Sequence, residues 1–185
     1  NTVLSQIGRW QNKGLGGVPV AVNFSSLQFR QQGFAAHLSD TIRKAGIDPR
    51  LLTCEITEST FMEDVAYTRK TLEAIRDLGL SVSIDDFGTG YSSLSYLKRL
   101  PVNNLKIDIS FIRQIAEDPD DATIVSTIIS MAHQLGLKTI AEGVETTEQW
   151  KIMRLLRCDM IQGFYFSKPI LATEIENWLH GEIPI

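Results

Sequence analysis

The sequence predicts an α/β protein built from repeated strand and helix units on a parallel sheet. Two observations predict this class: six short apolar runs recur along the chain, and segments with helical periodicity lie between them. The 185 residues suffice for one sizeable core, and no linker or low-complexity segment divides them. We therefore expect one domain over residues 1–185.

Six segments have the character of strands covered on both faces, because each is short, apolar and mostly uninterrupted. They are Pro19–Phe24, Leu52–Thr57, Leu80–Asp85, Asn104–Asp108, Lys138–Glu142 and Met160–Phe164. Apolar residues at helical spacing predict two helices especially clearly. One carries Val65, Leu72, Ile75 and Leu78, and the other carries Ile124, Ile128, Met131, Ala132 and Leu135. Gly79 and Gly136 follow these helices, where a left-handed C-cap is favoured.

Composition excludes several function classes. The net charge of −4 argues against a broad nucleic-acid surface, so no DNA partner is expected, and no apolar run is long enough to span a membrane. Cys54 and Cys158 fit no metal spacing, and a reduced Cys54 within an apolar strand indicates a cytoplasmic protein. His37, His133 and His180 fall on predicted helices away from every motif, and we assign them no chemistry.

A polar side chain stands at the carboxyl end of every predicted strand. In order these are Asn23, Glu55, Asp85 with Asp86, Asp108, Glu142 and Gln162. A β/α barrel brings such ends together at the edge where barrels place active sites, whereas an open doubly wound sheet spreads them along a crevice. One such residue is usually a cap or a solvated turn. Their repetition favours a shared metal site.

The segment Asp85–Ser93 is the most informative part of the chain. It places two adjacent carboxylates before a loop rich in glycine and hydroxyl groups. Because adjacent acids raise each other's pKa unless cations neutralise them, the pair predicts a divalent metal site with one carboxylate free to bridge two ions. Taken alone, the segment also fits a solvated acidic turn. Asp86-Phe87-Gly88 matches a protein-kinase element, but the other kinase motifs are missing from the sequence.

Six segments, in this order and over almost the whole chain, resemble the EAL-domain family of bacterial cyclic di-GMP phosphodiesterases. They are Val20–Ser25, Cys54–Ser59, Asp85–Ser93, Leu105–Asp108, Ala141–Glu145 and Ile161–Gly163. The resemblance implies a TIM-like β/α barrel that hydrolyses cyclic di-GMP to linear pGpG with two Mg²⁺ or Mn²⁺ ions. It also implies metal ligation by Asn23, Glu55, Asp85 and Asp86, with Asp85 bridging. Their hard oxygens suit Mg²⁺ or Mn²⁺ better than zinc, and Ca²⁺ is expected to bind unproductively.

The resemblance implies catalytic roles for Lys106, Glu142 and Glu145. Lys106 would hold the attacking water and offset developing negative charge. It alternates with apolar neighbours in a strand, so we expect it to point inward, although a lysine at a strand end can also extend to the surface. Glu142 would bind or deprotonate the water, and Glu145 would support the site from the next turn.

The remaining matches imply supporting roles. Glu58 would brace the loop that begins at Asp85, which the family uses to couple metal binding to dimerisation. A homodimer through the loop Asp85–Ser93 is therefore expected. Asp108 and Gln162 would complete the polar edge of the barrel.

The Glu-Ala-Leu segment that defines the family is missing upstream of Asn23, and six strands are predicted where such a barrel has about eight. We therefore expect an incomplete barrel with impaired activity, taken from a longer protein with sensory or GGDEF-type domains. An inactive module that binds cyclic di-GMP or mediates dimerisation is the alternative. An unrelated metal-dependent barrel enzyme is a weaker third interpretation.

Overall fold

The fold is a parallel sheet with helices packed outside it, in a computed structural model that describes residues 2–90 and 94–179. The strands pair in sequence order from β1 to β6, and every pair is parallel. They are β1 (Val20–Asn23), β2 (Leu52–Thr57), β3 (Ser81–Phe87), β4 (Asn104–Ile107), β5 (Lys138–Glu142) and β6 (Met160–Gln162). The sheet curls into part of a barrel, which confirms the predicted incomplete β/α barrel.

Helices connect the strands and cover the outer face of the sheet. In the described ranges they are α1 (Thr2–Asn12), α2 (Ser26–Phe29), α3 (Phe34–Ala45), α4 (Glu58–Glu63), α5 (Val65–Asp77), α6 (Leu94–Leu97), α7 (Ile109–Arg113), α8 (Pro119–Gln134), α9 (Thr147–Leu155) and α10 (Ala172–Leu179). A short 3-10 turn, Pro49–Leu51, precedes β2. Across residues 2–90 and 94–179, no helix combines the length and apolarity that crossing a membrane requires.

Both helices with the clearest periodicity end as the sequence predicts. Gly79 follows α5 at φ 94°, and Gly136 follows α8 at φ 75°, the left-handed conformation that glycine adopts without a Cβ clash. One assignment to the apolar face of α8 is wrong, because Ile124 is 40% exposed. The helix instead packs Val125 and Ile129 inward.

The core lies between the central strands and the helices outside them. Cys54, Ile84 and Leu105 are fully buried on β2, β3 and β4, and burial of Ile84 or of Leu105 contributes about 1.5–3 kcal/mol to stability. The outer strands β1 and β6 alternate between exposed and half-buried residues. Cys54 is a free thiol, as predicted, and burial raises its pKa to about 12.

Four strands end at different residues from those predicted, and the first of them, β1, ends at Asn23 rather than at Phe24. Asp108 accepts a hydrogen bond from the Ser110 backbone N–H at 2.9 Å and caps α7, so β4 ends at Ile107. Strand β6 ends at Gln162, and the next residue, Gly163, lies so close to the Val144 backbone that any side chain would clash there. Strand β3 continues beyond Asp85 through an irregularity that shapes the functional site.

Candidate metal and active site

Lys106 lies at the centre of a cluster of acidic side chains at the carboxyl ends of the strands. Its side chain on β4 is 4% exposed, and it points into the cluster. The Nζ atom lies 2.8 Å from Glu142 Oε1, 2.9 Å from Asp85 Oδ1 and 3.1 Å from Glu55 Oε2. One ammonium group therefore holds together carboxylates from β2, β3 and β5.

The ammonium group of Lys106 is charged in this setting. Burial by itself lowers the pKa of Lys106, because it disfavours the charged form. Hydrogen bonds to Glu142 and Asp85 outweigh that effect and hold the pKa above its ordinary value. Lys106 is thus a permanent cation of the site at neutral pH.

An extra residue in β3 brings Asp85 and Asp86 to the same site. Ile84 pairs with Leu105, but Phe87 pairs with Ile107, so three steps on β3 match two on β4. Asp86 absorbs the difference with a left-handed φ of 54°. Neighbouring side chains of a regular strand point to opposite faces. Here the carboxylate oxygens of Asp85, Asp86 and Glu142 lie within 4.8 Å of one another.

Negative charge exceeds positive charge in this cluster. Burial raises the pKa of Glu55 and of Glu142, and the hydrogen bond from Lys106 offsets only part of each shift. Burial also raises the pKa of Asp86, reinforced by the adjacent charges of Asp85 and Asp108. Three carboxylates contact one ammonium group and a fourth, Asp86, lies beside them, so the cluster has the electrostatics of a cation site.

The chemistry of the donor set fits Mg²⁺ or Mn²⁺. All three clustered ligand groups are carboxylates, which are hard oxygen donors, and no histidine or cysteine of the described chain joins them. Glu55 approaches the cluster through its ion pair with Lys106 but lies outside the set of three. Asn23 pairs in register with Glu55 at the edge strand β1, and its side chain is exposed.

Glu58 fastens the loop that follows the two aspartates. Its side chain is 3% exposed at the start of α4, and Oε2 accepts a hydrogen bond from the Gly88 N–H at 2.9 Å. A Cβ on Gly90 would lie 2.8 Å from Glu58 Oε1, so only glycine fits there without displacement. Glu58 therefore contacts the predicted loop, of which residues 91–93 lie outside the described ranges.

The structure places the other predicted residues around the cluster. Asp108 caps α7 next to Asp86 and contributes to the raised pKa of that carboxyl group. Gln162 pairs in register with Glu142, and its side chain is exposed. Glu145 is exposed in the loop after β5 and does not belong to the set of three carboxylates.

Two polar networks were missed in the sequence. Gln149, which is 6% exposed, joins the loop after β5 to α7, and the pattern Thr146-x-x-Gln149 could have indicated at least its capping role. At the opposite end of β5, Asp159 accepts hydrogen bonds from Thr139 and contacts His133 Nε2 at 2.8 Å. His133 thus lies away from the acidic cluster, as expected, whereas His180 lies outside the described residues.

The family model of the EAL domain matches residues 1–169. The chain belongs to the EAL domain family. One relative is MucR of Pseudomonas aeruginosa, a bifunctional diguanylate cyclase/cyclic di-GMP phosphodiesterase, at 43% identity over 170 residues. That match covers 92% of this chain and 25% of MucR. The chain spans about a fifth to a quarter of the length of the curated relatives it matches.

Solved structures of EAL proteins share this fold. The EAL domain of Mycobacterium smegmatis DcpA superposes with a TM-score of 0.93 at 38% identity, covering 100% of this chain and 83% of that one. The PaMucR phosphodiesterase in complex with c-di-GMP gives a TM-score of 0.89 at 42% identity, with 93% and 70% covered. Klebsiella pneumoniae BlrP1 with manganese and cy-diGMP gives 0.82 at 31% identity, with 92% and 43% covered.

Proposed function

We propose that this domain hydrolyses cyclic di-GMP to linear pGpG and requires Mg²⁺ or Mn²⁺. The carrying observation is the convergence of Asp85, Asp86 and Glu142 around a buried lysine, in a family whose relatives include cyclic di-GMP phosphodiesterases. Excess carboxylate charge suits a divalent cation, and a dinucleotide with two phosphodiesters needs cations to approach such an acidic edge.

The proposal includes two metal ions, with Asn23, Glu55, Asp85 and Asp86 as ligands. It is supported by the manganese complex of BlrP1 and by the hard oxygen donors gathered in this chain. When bound, such ions supply Lewis-acid activation of water and clamp the phosphate for in-line attack. Asp85 would be the ligand that both ions share, since of the four it contacts Lys106 and also belongs to the set that Asp86 and Glu142 form.

Lys106 and Glu142 act on the attacking water. The Lys106 ammonium group orients that water and offsets the negative charge that develops on the phosphate. Glu142 accepts a hydrogen bond from Lys106, and its raised pKa suits a carboxylate that takes up a proton. Glu145 supports Glu142 from the next turn, while Gln162 and Asp108 complete the polar edge.

The loop braced by Glu58 also carries the proposed homodimer contact. Partner domains of the sensory or GGDEF type are part of the proposal, since the chain corresponds to a quarter of the bifunctional relative MucR. A cytoplasmic location is supported by the free thiols of Cys54 and Cys158.

The test is hydrolysis of cyclic di-GMP by the full-length gene product in Mn²⁺ buffer, with pGpG quantified by chromatography. We expect linear pGpG, and we expect chelation of the metal to abolish its formation. Tight binding of cyclic di-GMP without turnover would contradict the proposal and identify an inactive binding module instead.

Residues 1–185 alone are expected to turn over more slowly than the full-length gene product. The reason is that β1 presents the exposed Asn23 at an unpaired edge, so one side of the ligand set lacks a neighbouring strand within the described chain. Parallel assays of the two proteins check this expectation, and equal rates would contradict it.

A further inference from the structure

We infer that Gln149 is a positioning residue. It holds the loop after Glu142 against the helix after Lys106 and so sets the distance between the Glu142 carboxylate and the Lys106 ammonium group. The inference rests on the proposed function of the site. Gln149 lies on α9, outside the carboxylate cluster, and no contact with substrate is invoked for it.

The side-chain amide of Gln149 is buried, and its hydrogen-bonding capacity is fully used. Its Oε1 accepts from the backbone N–H of Glu145 at 2.7 Å and of Thr146 at 3.0 Å. Its Nε2 donates to the carbonyl oxygens of Ile112 and Arg113, each at 3.2 Å. A primary amide has two donor hydrogens and an oxygen with two lone pairs, so all four positions are paired.

These four bonds join the two segments that carry the reacting groups. Glu142 ends β5, and the loop to Thr146 follows it directly. Lys106 lies on β4, and α7 begins immediately after it behind the Asp108 cap. Gln149 therefore connects the backbone that follows Glu142 to the backbone that follows Lys106. Lys106 Nζ lies 2.8 Å from Glu142 Oε1.

A second contact shows that the two segments fit together closely. Gly143 adopts a left-handed φ of 70°, and a Cβ at this position would clash with the side chain of Ile109 at the start of α7. Val144 next to it is fully buried. The loop thus has little freedom to shift without moving Glu142, and a misplacement of about 1 Å in such a site can cost about 100-fold in rate.

One substitution separates the bridging role of Gln149 from its capping role. Oε1 and Thr146 form a capping box at the start of α9, and glutamate serves that motif as well as glutamine does. Gln149→Glu therefore keeps the cap but removes both donors to α7. It also sets a carboxylate against the carbonyl oxygens of Ile112 and Arg113, which forces that side of the contact apart.

The experiment compares Gln149→Glu with wild type and with Asp159→Asn in the full-length gene product. Asp159 belongs to a hydrogen-bonded network at the other end of β5, so its variant controls for a general loss of stability. We expect Gln149→Glu to lower kcat for cyclic di-GMP hydrolysis about 10- to 100-fold with KM changed less than about twofold. Mn²⁺ binding, measured by electron paramagnetic resonance, should weaken about threefold or more, because a displaced Glu142 disturbs the set of carboxylates that it forms with Asp85 and Asp86.

Each outcome decides the inference. If Gln149→Glu matches wild type or Asp159→Asn in both kcat and Mn²⁺ binding, Gln149 only caps α9 and the inference is wrong. If wild type itself forms no pGpG, the proposed function fails. Mn²⁺ binding by Gln149→Glu, compared with wild type and Asp159→Asn, then still tests the inference. Thermal unfolding is recorded for every variant, and Gln149→Asn replaces Gln149→Glu if the latter does not fold.

Discussion

The two ends of strand β5 both carry clusters of interacting polar groups, but the charges in the two clusters are balanced differently. At the amino end, Asp159 Oδ2 meets the Thr139 N–H, the Thr139 hydroxyl and His133 Nε2 at 2.7–2.9 Å. Partial burial raises the pKa of Asp159, but hydrogen bonds from Thr139 and His133 outweigh it and leave that pKa lowered. One carboxylate oxygen there has three hydrogen-bonding partners.

At the carboxyl end, the charges are not balanced. Glu142, Asp85 and Glu55 share the Lys106 ammonium group, and Asp86 adds a fourth carboxylate beside them. The pKa values of Glu142, Glu55 and Asp86 are raised, chiefly by burial. An acid whose charge is offset by hydrogen-bond donors thus serves stability, whereas acids held together with excess negative charge serve a bound cation.

Loss of Asp85 should produce the largest functional effect of any change considered. Asp85→Asn is expected to lower kcat/KM for cyclic di-GMP about 1,000-fold, or about 4 kcal/mol, because it removes the proposed bridging ligand. Hydrolysis assays on the full-length gene product in Mn²⁺ measure this. Asp159→Asn is the matched control, and we expect its kcat/KM to change less than about twofold. Equal losses of kcat/KM in both variants would contradict a functional difference between the two ends of strand β5.

Removal of the central cation should strongly destabilise the metal-free protein. Lys106→Met keeps the side-chain volume but leaves two buried carboxylates and the half-buried Glu142 without their counter-charge. We expect a loss of about 3 kcal/mol in the free energy of unfolding. Urea titrations with a chelator present give this value. A loss below about 1 kcal/mol would mean that the carboxylates do not depend on Lys106.

The sequence predicted the fold better than the details of the site. Runs of apolar residues and the polar residue at each strand end were sufficient for all six strands, since both depend on local pattern. The bulge at Asp86 was not predictable, because a left-handed aspartate in a strand depends on its pairing with β4. The contacts of Gln149 and Asp159 were missed since each joins segments that are distant in sequence.

Metal should stabilise the folded protein only through the acidic cluster at the carboxyl end of strand β5. With Mn²⁺ at 100 times its dissociation constant, mass action adds about 2.7 kcal/mol to the stability. For a chain of this size, that corresponds to a rise in Tm of roughly 5–10 °C. Differential scanning fluorimetry should show the full shift in wild type and in Asp159→Asn but a clearly reduced one in Asp85→Asn. A full shift in Asp85→Asn would place the metal elsewhere.

The network at the amino end should contribute to stability with a defined pH dependence. We expect Asp159→Asn to cost about 1 kcal/mol at neutral pH, since it weakens charge-assisted hydrogen bonds of a partly exposed group. Because the pKa of Asp159 is lowered, the contribution is fully present above its ordinary value of 3.8 and is lost as pH falls through the folded value. Unfolding titrations at several pH values test this, and a gap that widens on acidification would contradict it.

Neutralising Asp86 should have the smallest effect on stability, and in the opposite direction. Asp86→Asn removes a carboxylate whose pKa is raised by burial and by Asp85, and asparagine tolerates a left-handed φ. We expect a gain of about 0.5 kcal/mol in the metal-free free energy of unfolding, together with loss of Mn²⁺ stabilisation. A metal-free variant less stable than wild type would mean that Asp86 has a structural partner in the apo protein.

A direct titration of Mn²⁺ tests whether the carboxylates around Lys106, at the carboxyl end of strand β5, form a cation site. Electron paramagnetic resonance on the full-length gene product gives the number of bound ions and their affinity. We expect saturable binding by wild type and by Asp159→Asn, and an affinity at least about tenfold weaker in Asp85→Asn. Equal Mn²⁺ binding by all three proteins would contradict it.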